Sequence, residues 1–407
     1  MVRYIDNKKL IITVKKMKAA SGSKNLILTA PVYLVVFSAF FDTHAQMPVL
    51  APFASSLGAT PFVLGIVVGV YSLFNMAGNF AGGATIDRKG WKTPLFIGLI
   101  GATLLLLLYT TAQAPYHLVL IRAGHGFLGG FLVPSALACL TIGGSKGESR
   151  FYGSRLAFFG ATIGLAAVTG PMVAGIIAGR FGFTPVYLIL AVVMAVSTIV
   201  AARFFRDQAG CSSYPEAPGL NLFTLFKRPK MLTAFICALG TMGSTGTLAS
   251  FLPTRAAAIG MSHAETGALF ATFALVAIFV QMLWPRKLKP LLKSDSRGCM
   301  LGLLLLASAL SMAAFATSPA AMFSSLAIYG TGFGFSFQGM LGLVISDSDE
   351  NWRGRAIGIF FAVYSLGVAV VPPVSGLIWQ HQQAIFPFYT AAAFALVSFF
   401  LVVKRNG

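Results

Sequence analysis

Twelve long apolar runs, separated by short polar stretches, dominate this sequence. A helix needs about 20 apolar residues to cross the hydrocarbon core of a bilayer. The 407-residue chain is 57% hydrophobic and only 10% charged, whereas a soluble domain has about 25% charged residues. The sequence therefore predicts an all-α polytopic membrane protein with twelve spans, numbered 1 to 12 below, and argues against a soluble enzyme.

The apolar runs set the expected bounds of the spans. Spans 1 to 6 are expected near residues 26–50, 61–84, 93–113, 116–142, 155–179 and 184–204. Spans 7 to 12 are expected near residues 231–253, 262–284, 298–317, 319–344, 355–379 and 384–403. The resulting divisions are a basic tail (1–25), a six-helix bundle (26–204), a polar linker (205–229), a second six-helix bundle (230–403) and a short tail (404–407).

The basic residues orient these spans. The chain has 30 Lys and Arg and a net charge of +19. With both termini in the cytoplasm, Arg180 and Arg255 face outward, Arg122 lies in the membrane, and the remaining basic residues fall on the cytoplasmic side. This distribution follows the positive-inside rule, so the charge indicates contact with membrane lipids and no nucleic-acid partner. The localisation expected is the cytoplasmic (inner) membrane of a bacterium.

The second half of the chain repeats part of the first at an offset of 201 residues. The matched positions are Gly153, Phe159, Leu165, Pro171, Gly175 and Ile177, which align with Gly354, Phe360, Leu366, Pro372, Gly376 and Ile378. Such repeats predict two bundles of the same topology, related by an axis along the membrane normal. Spans 5 and 11 are then equivalent.

Asp42 in span 1 is the strongest candidate for a functional side chain. An unpaired carboxylate in the hydrocarbon core costs about 3 kcal/mol or more, so ionisable residues there mark ion or proton paths. Gln46 lies one turn further on the same helix face, whereas His44 does not share that face. The alternative is a buried Asp42 that hydrogen bonds satisfy without a role in transport.

Span 4 carries a cation and an imidazole on one face, since His125 follows Arg122 by three residues. The positive charge of Arg122 favours the ionised form of a nearby carboxylate, so displacing it would couple to proton uptake. The alternative is that Arg122 only braces the bundle through backbone carbonyls. A metal site of Asp42, His44 and His125 has no supporting cluster of ligands, and no cofactor or metal is expected.

Other polar and flexible positions give weaker signals. Asn75 and Asn79 share one face of span 2 and, with Gln46 and Gln338, are possible cavity residues. Glu265 follows Ser262 by three residues and is expected to cap span 8. The four cysteines have no paired spacing, so neither disulfide bonds nor a zinc site are expected.

Span 5 contains Gly170, Pro171 and Gly175. Proline lacks an amide hydrogen and kinks a helix, and glycines on one face allow two helices to approach closely. The sequence therefore predicts a bending element in the middle of this span.

The connection between spans 2 and 3 resembles a family signature. The major facilitator superfamily has the motif G-x-L-a-D-r-x-G-r-k there, and this chain matches it at Gly83, Asp87, Arg88, Gly90 and Lys92. Thr85 replaces the usual leucine and Trp91 a usual basic residue. The resemblance covers nearly the whole chain and implies the major-facilitator-type fold of two six-helix bundles, with a monomer as the expected state.

Three further motifs resemble the twelve-span drug:proton antiporters of that superfamily. Arg122, His125 and Gly126 are similar to R-x-x-q-G of span 4, Gly170 to Gly175 to the antiporter motif G-x-x-x-G-P-x-x-G-G, and Pro48 to Pro52 to P-v-x-P of span 1. In the antiporter motif, Ala166 and Ala174 replace glycines.

The resemblance implies a transporter that works by alternating access, not an enzyme. It would export small amphipathic molecules or drugs, and the proton gradient would drive it. Asp42, Arg122 and His125 would then couple protons, and Asp87 would gate the cytoplasmic side by contacting the start of span 11. The second-half loop Arg286–Lys293 has no aspartate at the equivalent place, so a one-sided latch is expected.

The alternatives are an exporter of a specific metabolite, siderophore or lipid, a proton-coupled uptake symporter, a metal transporter or a membrane enzyme, and a sensor on the same fold.

Overall fold

The computed structural model describes residues 30–141, 149–205, 222–349, 352–381 and 385–406, which form helices and no strand. Within these ranges, eleven helical segments are long and apolar enough to cross a membrane. A further bent pair, Ala30–Ala45 and Leu50–Ser56, forms span 1. The expected all-α polytopic fold is confirmed. The N-terminal tail, most of the linker and Gly407 lie outside the described residues.

The remaining spans follow the expected order. Spans 2 to 6 comprise Pro61–Lys89, Lys92–Tyr109, Pro115–Gly129 with Leu132–Thr141, Ser149–Phe181 and Phe183–Phe204. Spans 7 to 12 comprise Pro229–Ala258, His263–Leu283, Asp295–Phe315, Pro319–Ser346, Arg353–His381 and Phe386–Asn406. The end of the molecule with Asp87 and Lys404 is called the inner end below, and the end with Pro61 and Gly182 the outer end.

Span 1 differs from its expected bounds. It does not end at residue 50 but bends by 48° and continues to Ser56. The bend falls at Pro48, whose nitrogen has no hydrogen to continue the helical ladder, and the chain turns there through Met47 N–H to His44 O and Val49 N–H to Gln46 O. The bend lies between one and two turns beyond Asp42.

The connection between spans 2 and 3 is much shorter than expected. Span 2 continues to Lys89, so Gly83, Asp87 and Arg88 lie in its last turns. Gly90 ends the helix with a φ of 75°, a conformation that is readily available only to glycine. Asp87 is exposed, and the motif residues before Gly90 are therefore held on a rigid helix instead of a loop.

Two segments expected as loops are helical. Leu222–Lys227, in the expected linker, forms a short helix whose Leu225 is fully buried. Residues 284–292 extend span 8 through a π-helical turn. Lys289 in this extension forms an ion pair of 2.9 Å with Asp295 at the start of span 9, a pair that the sequence did not indicate. Ser262 and Glu265 form the expected capping box.

Glycines bring the two bundles together at the outer end. Gly65 of span 2 lies against the carbonyl of Pro372 in span 11, and Gly267 of span 8 lies against the carbonyl of Pro171 in span 5. Pro171 and Pro372 are equivalent in the sequence repeat, so the two contacts are versions of one interface. Gly69 continues the first contact, since a Cβ atom there would lie 2.8 Å from the carbonyl oxygen of Ala369.

The same helices separate toward the inner end. A Cβ atom added to Gly83 of span 2, to Gly358 of span 11 or to Gly160 of span 5 would meet no atom within 4 Å. Spans that touch backbone to backbone at the outer end therefore leave room between them at the inner end. The structure is therefore closed at the outer end and open at the inner end.

We expect Gly65→Ala to destabilise this conformation, because its Cβ would collide with the backbone of Pro372. Overpacking of this kind costs about 1–3 kcal/mol. Thermal unfolding in detergent measures the loss. Gly160→Ala is the control, since its methyl group meets nothing and replacing helical glycine by alanine gains about 0.5–1 kcal/mol. Equal unfolding temperatures for the two variants would contradict the packing described here.

Candidate transport site

A cavity of about 300 Å³ lies between the bundles, midway along the spans. Its walls come from spans 1, 2 and 4 of the first bundle and spans 7 and 11 of the second. Asp42, His44, Arg122 and His125 line it from the first bundle, and no charged side chain lines it from the described part of the second. The charged side chains described around the cavity therefore all belong to the first bundle.

Asp42 is held by two side chains. His125 Nε2 lies 2.9 Å from Asp42 Oδ2, and the Gln46 amide donates to Asp42 Oδ1 over 2.7 Å. All three residues are almost completely buried, with exposed fractions of 3% or less. Charge-assisted hydrogen bonds of this length are stronger than neutral ones, and they compensate the desolvation of the carboxylate.

Arg122 joins the same cluster without contacting the carboxylate directly. Its Nη1 donates to Gln46 Oε1 over 3.1 Å and its Nε donates to the carbonyl of Val67 over 3.2 Å. The guanidinium carbon lies 4.2 Å from the centre of the Tyr71 ring, a cation–π contact. Gln46 thus bridges the anion and the cation, with its oxygen toward Arg122 and its nitrogen toward Asp42.

Close packing of spans 2 and 4 positions the cluster. A Cβ atom on Gly126 would collide with the carbonyl of Tyr71, and one on Gly130 would lie 2.7 Å from the amide nitrogen of Asn79. Asn75 ties the spans together by donating to the carbonyl of Gly126 over 3.2 Å. The glycines therefore allow the backbone approach that brings the side chains of span 4 to spans 1 and 2.

The second bundle offers hydroxyl groups to the cavity. Thr245, Tyr364 and Ser365 line it together with Met242. Thr245 is fixed by a hydrogen bond of 2.9 Å to the hydroxyl of Tyr329. This wall can donate and accept hydrogen bonds and cover apolar surface, but it adds no net charge.

The structure brings some of the predicted site residues together and leaves others apart. Gln46 and Asn75 line the cavity with the charged residues, whereas Asn79 and Gln338 are not among its lining residues. Asn79 instead donates to Asn75 Oδ1 over 3.0 Å. Gly170 lies against the backbone of span 1 at Phe41 and Ala45, so it supports the helix that carries Asp42.

The motif residues at the inner end lie away from the cavity. Asp87 and Arg88 are exposed, and Asp87 forms no ion pair with any described residue. Trp91, where the family usually has a basic residue, is buried against Phe205 with ring centres 5.0 Å apart. It anchors the connection by packing instead of contributing charge.

Sequence reasoning missed the tyrosines around the cluster. Tyr71 precedes Asn75 by four residues, so extending the polar stripe of span 2 by one turn would have found it. Tyr109 at the end of span 3 lies 3.4 Å from His125 Nδ1, and no sequence pattern indicated it. His44, named as a possible metal ligand, contacts the carbonyl of Phe40 at 2.7 Å.

Potential metal ligands do not cluster. Among the described residues, no group of three His, Cys, Asp or Glu side chains is close enough to hold a metal ion. Cys139, Cys237 and Cys299 are free thiols, and Cys211 lies outside the described residues. The metal-transporter alternative therefore gains no support from the geometry.

Comparison with known proteins agrees with this architecture. The family model described as Major Facilitator Superfamily matches residues 32–372. Multidrug resistance protein MdtG of Rahnella sp. strain Y9602 is 29% identical over 213 residues, which are 51% of each chain. MdtG of Citrobacter koseri is 30% identical over 213 residues, 51% of this chain and 52% of the relative. The chain thus spans about half the length of the curated relatives it matches.

Solved structures share the fold at low identity. A POT family transporter in complex with a thioalcohol-conjugated peptide matches with a TM-score of 0.78 and 12% identity, over 93% of this chain and 96% of the other. A bacterial homologue of the human lysosomal transporter Spinster, inward-facing and unoccupied, matches with a TM-score of 0.75 and 14% identity over the same shares.

Gln46→Met should destabilise the protein, because it leaves Asp42 Oδ1 and Arg122 Nη1 without the amide between them. A buried polar group that loses its partner costs about 1–3 kcal/mol, so the unfolding temperature in detergent should fall clearly. Gln281→Met is the matched control. Gln281 is half-buried and has no hydrogen bond within the described ranges, and if both variants unfold at one temperature the bridging role is wrong.

Proposed function

Because the chain belongs to the major facilitator superfamily, we propose that it is a proton-coupled exporter of small amphipathic molecules or drugs. The family model covers most of the chain, and the relatives that match half of it are named as multidrug resistance proteins. The resemblance of the span 5 segment to the antiporter motif favours export. The proposed location is the inner membrane of a bacterium, with both termini in the cytoplasm.

The contact between Asp42 and His125 at the cavity wall carries this proposal. The pair is buried, yet both residues line the space in which a substrate would bind. A proton can be held between the carboxylate and the imidazole, and neutralising the carboxylate weakens its hold on a bound cation or polar group. Proton binding and substrate binding then oppose each other, which is the requirement for exchange.

The cavity suits amphipathic molecules because its walls differ. The first bundle presents charges of both signs, and the second presents hydroxyls, Met242 and the ring of Tyr364. Methionine and aromatic side chains accept apolar ligands of different shapes. Gln46 bonds both Arg122 and Asp42 and so links their charges. An anionic substrate would compete with Gln46 for Arg122, and a cationic substrate would compete with it for Asp42.

The different packing at the two ends of the bundles supports alternating access. The glycine contacts of spans 2 with 11 and 5 with 8 close the outer end, and rocking the bundles would open them while closing the inner end. Gly170 and Pro171 lie where span 5 meets span 1 and span 8. We propose that this segment, with Gly175, bends as the bundles rock.

Asp87 is proposed to act only in the opposite conformation. Here it is exposed and has no ion pair among the described residues. When the inner ends approach, its charge would meet the N-terminus of span 11, a contact worth about 0.3–1 kcal/mol when exposed and up to about 2 when partly buried. A Cβ atom on Gly83 would meet no atom within 4 Å in the present structure, so span 2 has room there for span 11 to approach.

Two other transport functions use the same geometry. An exporter of a specific metabolite, siderophore or lipid would need only a narrower substrate choice. A proton-coupled uptake symporter would need substrate and proton to bind together, whereas competition for Asp42 makes their binding opposed.

Asp42→Asn should abolish proton-driven transport, since the amide cannot take up a proton while it keeps the size of the carboxyl group. The variant is reconstituted in vesicles with an imposed pH gradient. The probe is the member of a panel of fluorescent amphipathic dyes that most raises the unfolding temperature of the wild-type protein. Gradient-driven dye transport should fall to background, while dye exchange without a gradient persists.

Asp295→Asn serves as the control for this experiment, because its carboxylate pairs with Lys289 outside the cavity. It should transport as the wild type does. Full gradient-driven export by Asp42→Asn would refute the assignment of Asp42, and uptake instead of export by the wild type would favour the symporter.

Asp87→Ala should shift the protein toward the inward-open conformation by about 0.3–2 kcal/mol, the value of a charge at a helix N-terminus. A single cysteine replacing Ala249 in the cavity, in a cysteine-free background, reports the shift through its reaction with a membrane-impermeant maleimide from either side. Asp87→Asn should behave alike and Lys89→Ala, at an exposed neighbour, should not. Unchanged labelling of Asp87→Ala would remove Asp87 from the gate.

A further inference from the structure

His125 contacts a different polar group with each of its ring nitrogens. Nε2 lies 2.9 Å from Asp42 Oδ2, and Nδ1 lies 3.4 Å from the hydroxyl of Tyr109. An imidazole can accept a proton at one nitrogen and release one from the other. The second contact is longer than an ideal hydrogen bond, but bonds of this kind often shorten only in the working complex.

Two stacked tyrosines lie behind this imidazole. The rings of Tyr109 and Tyr187 are nearly parallel, with centres 4.4 Å apart, and both side chains are fully buried. Neither residue lines the cavity. Tyr109 ends span 3 and Tyr187 lies near the start of span 6, so both belong to the outer part of the first bundle.

The hydroxyl of Tyr187 has no hydrogen-bond partner within the described parts of the chain. Leaving a buried hydroxyl unpaired destabilises the fold, and phenylalanine would fill the same space without that penalty. The hydroxyl is thus an observation independent of the His125 contact, and it indicates that a polar molecule reaches this part of the bundle.

We propose that Tyr109 delivers protons to Asp42 through His125, along a route that is separate from the substrate cavity. Tyr187 is a positioning residue: its ring holds the phenol of Tyr109 by stacking, and its hydroxyl binds a water molecule that also contacts the Tyr109 hydroxyl. This inference rests on the proposed function, because it concerns the path of the coupled proton.

The transfer leaves every group with a balanced proton count. The Tyr109 hydroxyl gives its proton to Nδ1 of neutral His125 and regains one from the water molecule that the Tyr187 hydroxyl binds. The proton on Nε2 passes to Asp42 Oδ2, so Asp42 becomes neutral and His125 stays neutral with its proton on the other nitrogen. The water takes its replacement from the outer side, and no ion remains on the tyrosine or the imidazole.

Tyr71 and Arg122 are two other polar side chains close to His125. Tyr71 presents its ring at right angles to the imidazole, with centres 5.6 Å apart, and its hydroxyl lies 3.4 Å from Thr43 Oγ1. Arg122 adds a fixed positive charge one turn away on span 4. A proton that reaches the ring can pass to the carboxylate, because Nε2 lies 2.9 Å from Asp42 Oδ2.

The route has a consequence for exchange. Substrate meets Asp42 from the cavity, whereas the proton arrives from behind the imidazole. A bound substrate would therefore not block the incoming proton that displaces it.

Tyr109→Phe tests the route, because it removes one oxygen atom and leaves the ring stacked on Tyr187. Gradient-driven dye transport in vesicles should slow by about 10-fold, less than the 100-fold or more typical of a lost proton-transfer group, since water can partly replace the phenol. Dye exchange without a gradient should stay at the wild-type rate, which also shows that the variant is folded. The control is Tyr389→Phe, which removes a phenol hydroxyl from a half-buried side chain of span 12 outside the cavity and should keep wild-type coupling.

A double substitution separates proton transfer from mere support. In a His125→Gln background the amide cannot switch protons, so adding Tyr109→Phe should slow transport no further. Tyr187→Leu, which loses the stack, should show the same selective defect and replaces Tyr109→Phe in the test if that variant does not fold.

A wild type that is not driven by protons would refute the proposed function, whereas a proton-driven wild type with unimpaired Tyr109→Phe would refute the route alone.

Discussion

A carboxylate in the middle of a membrane protein is tolerated only when other groups replace its water, and this constraint organises the first bundle. Asp42 obtains its replacement from Gln46 on its own helix and from His125 on span 4. Arg122 then needs acceptors of its own and finds Gln46 and the carbonyl of Val67 in span 2. One buried charge thus fixes how spans 1, 2 and 4 lie against each other.

Glycine makes that arrangement possible and also closes the outer end. Within the first bundle, Gly126 lets span 4 lie on the backbone of span 2, so that short distances between side chains can form. Between the bundles, Gly65 and Gly267 do the same for spans 2 with 11 and 5 with 8. Interhelical attraction in lipid depends on close packing more than on the hydrophobic effect, so these contacts can be exchanged for others without exposing apolar surface to water.

The two bundles share a sequence repeat but contribute different groups to the cavity. The repeat places Pro171 and Pro372 in equivalent interfaces, yet among the described residues only the first bundle contributes charged groups to the cavity. The second bundle contributes hydroxyls such as Thr245, held by Tyr329. A proton therefore acts on one wall only, while the other wall can vary with the substrate without disturbing the coupling site.

The sequence by itself determined the number and order of the spans. It also singled out Asp42, Arg122 and His125, because an ionisable side chain in the hydrocarbon core is costly unless it is paired or functional. It did not determine where helices bend or end, as span 1 after Pro48 and span 2 up to Gly90 show, since local hydrogen bonding decides these points. Only the tertiary structure decided that Gln46 stands between the carboxylate and the guanidinium, and that Tyr109 and Tyr187 lie behind His125. Those contacts join spans that are far apart in the chain, and the pattern of apolar residues does not indicate which helix faces pack against each other.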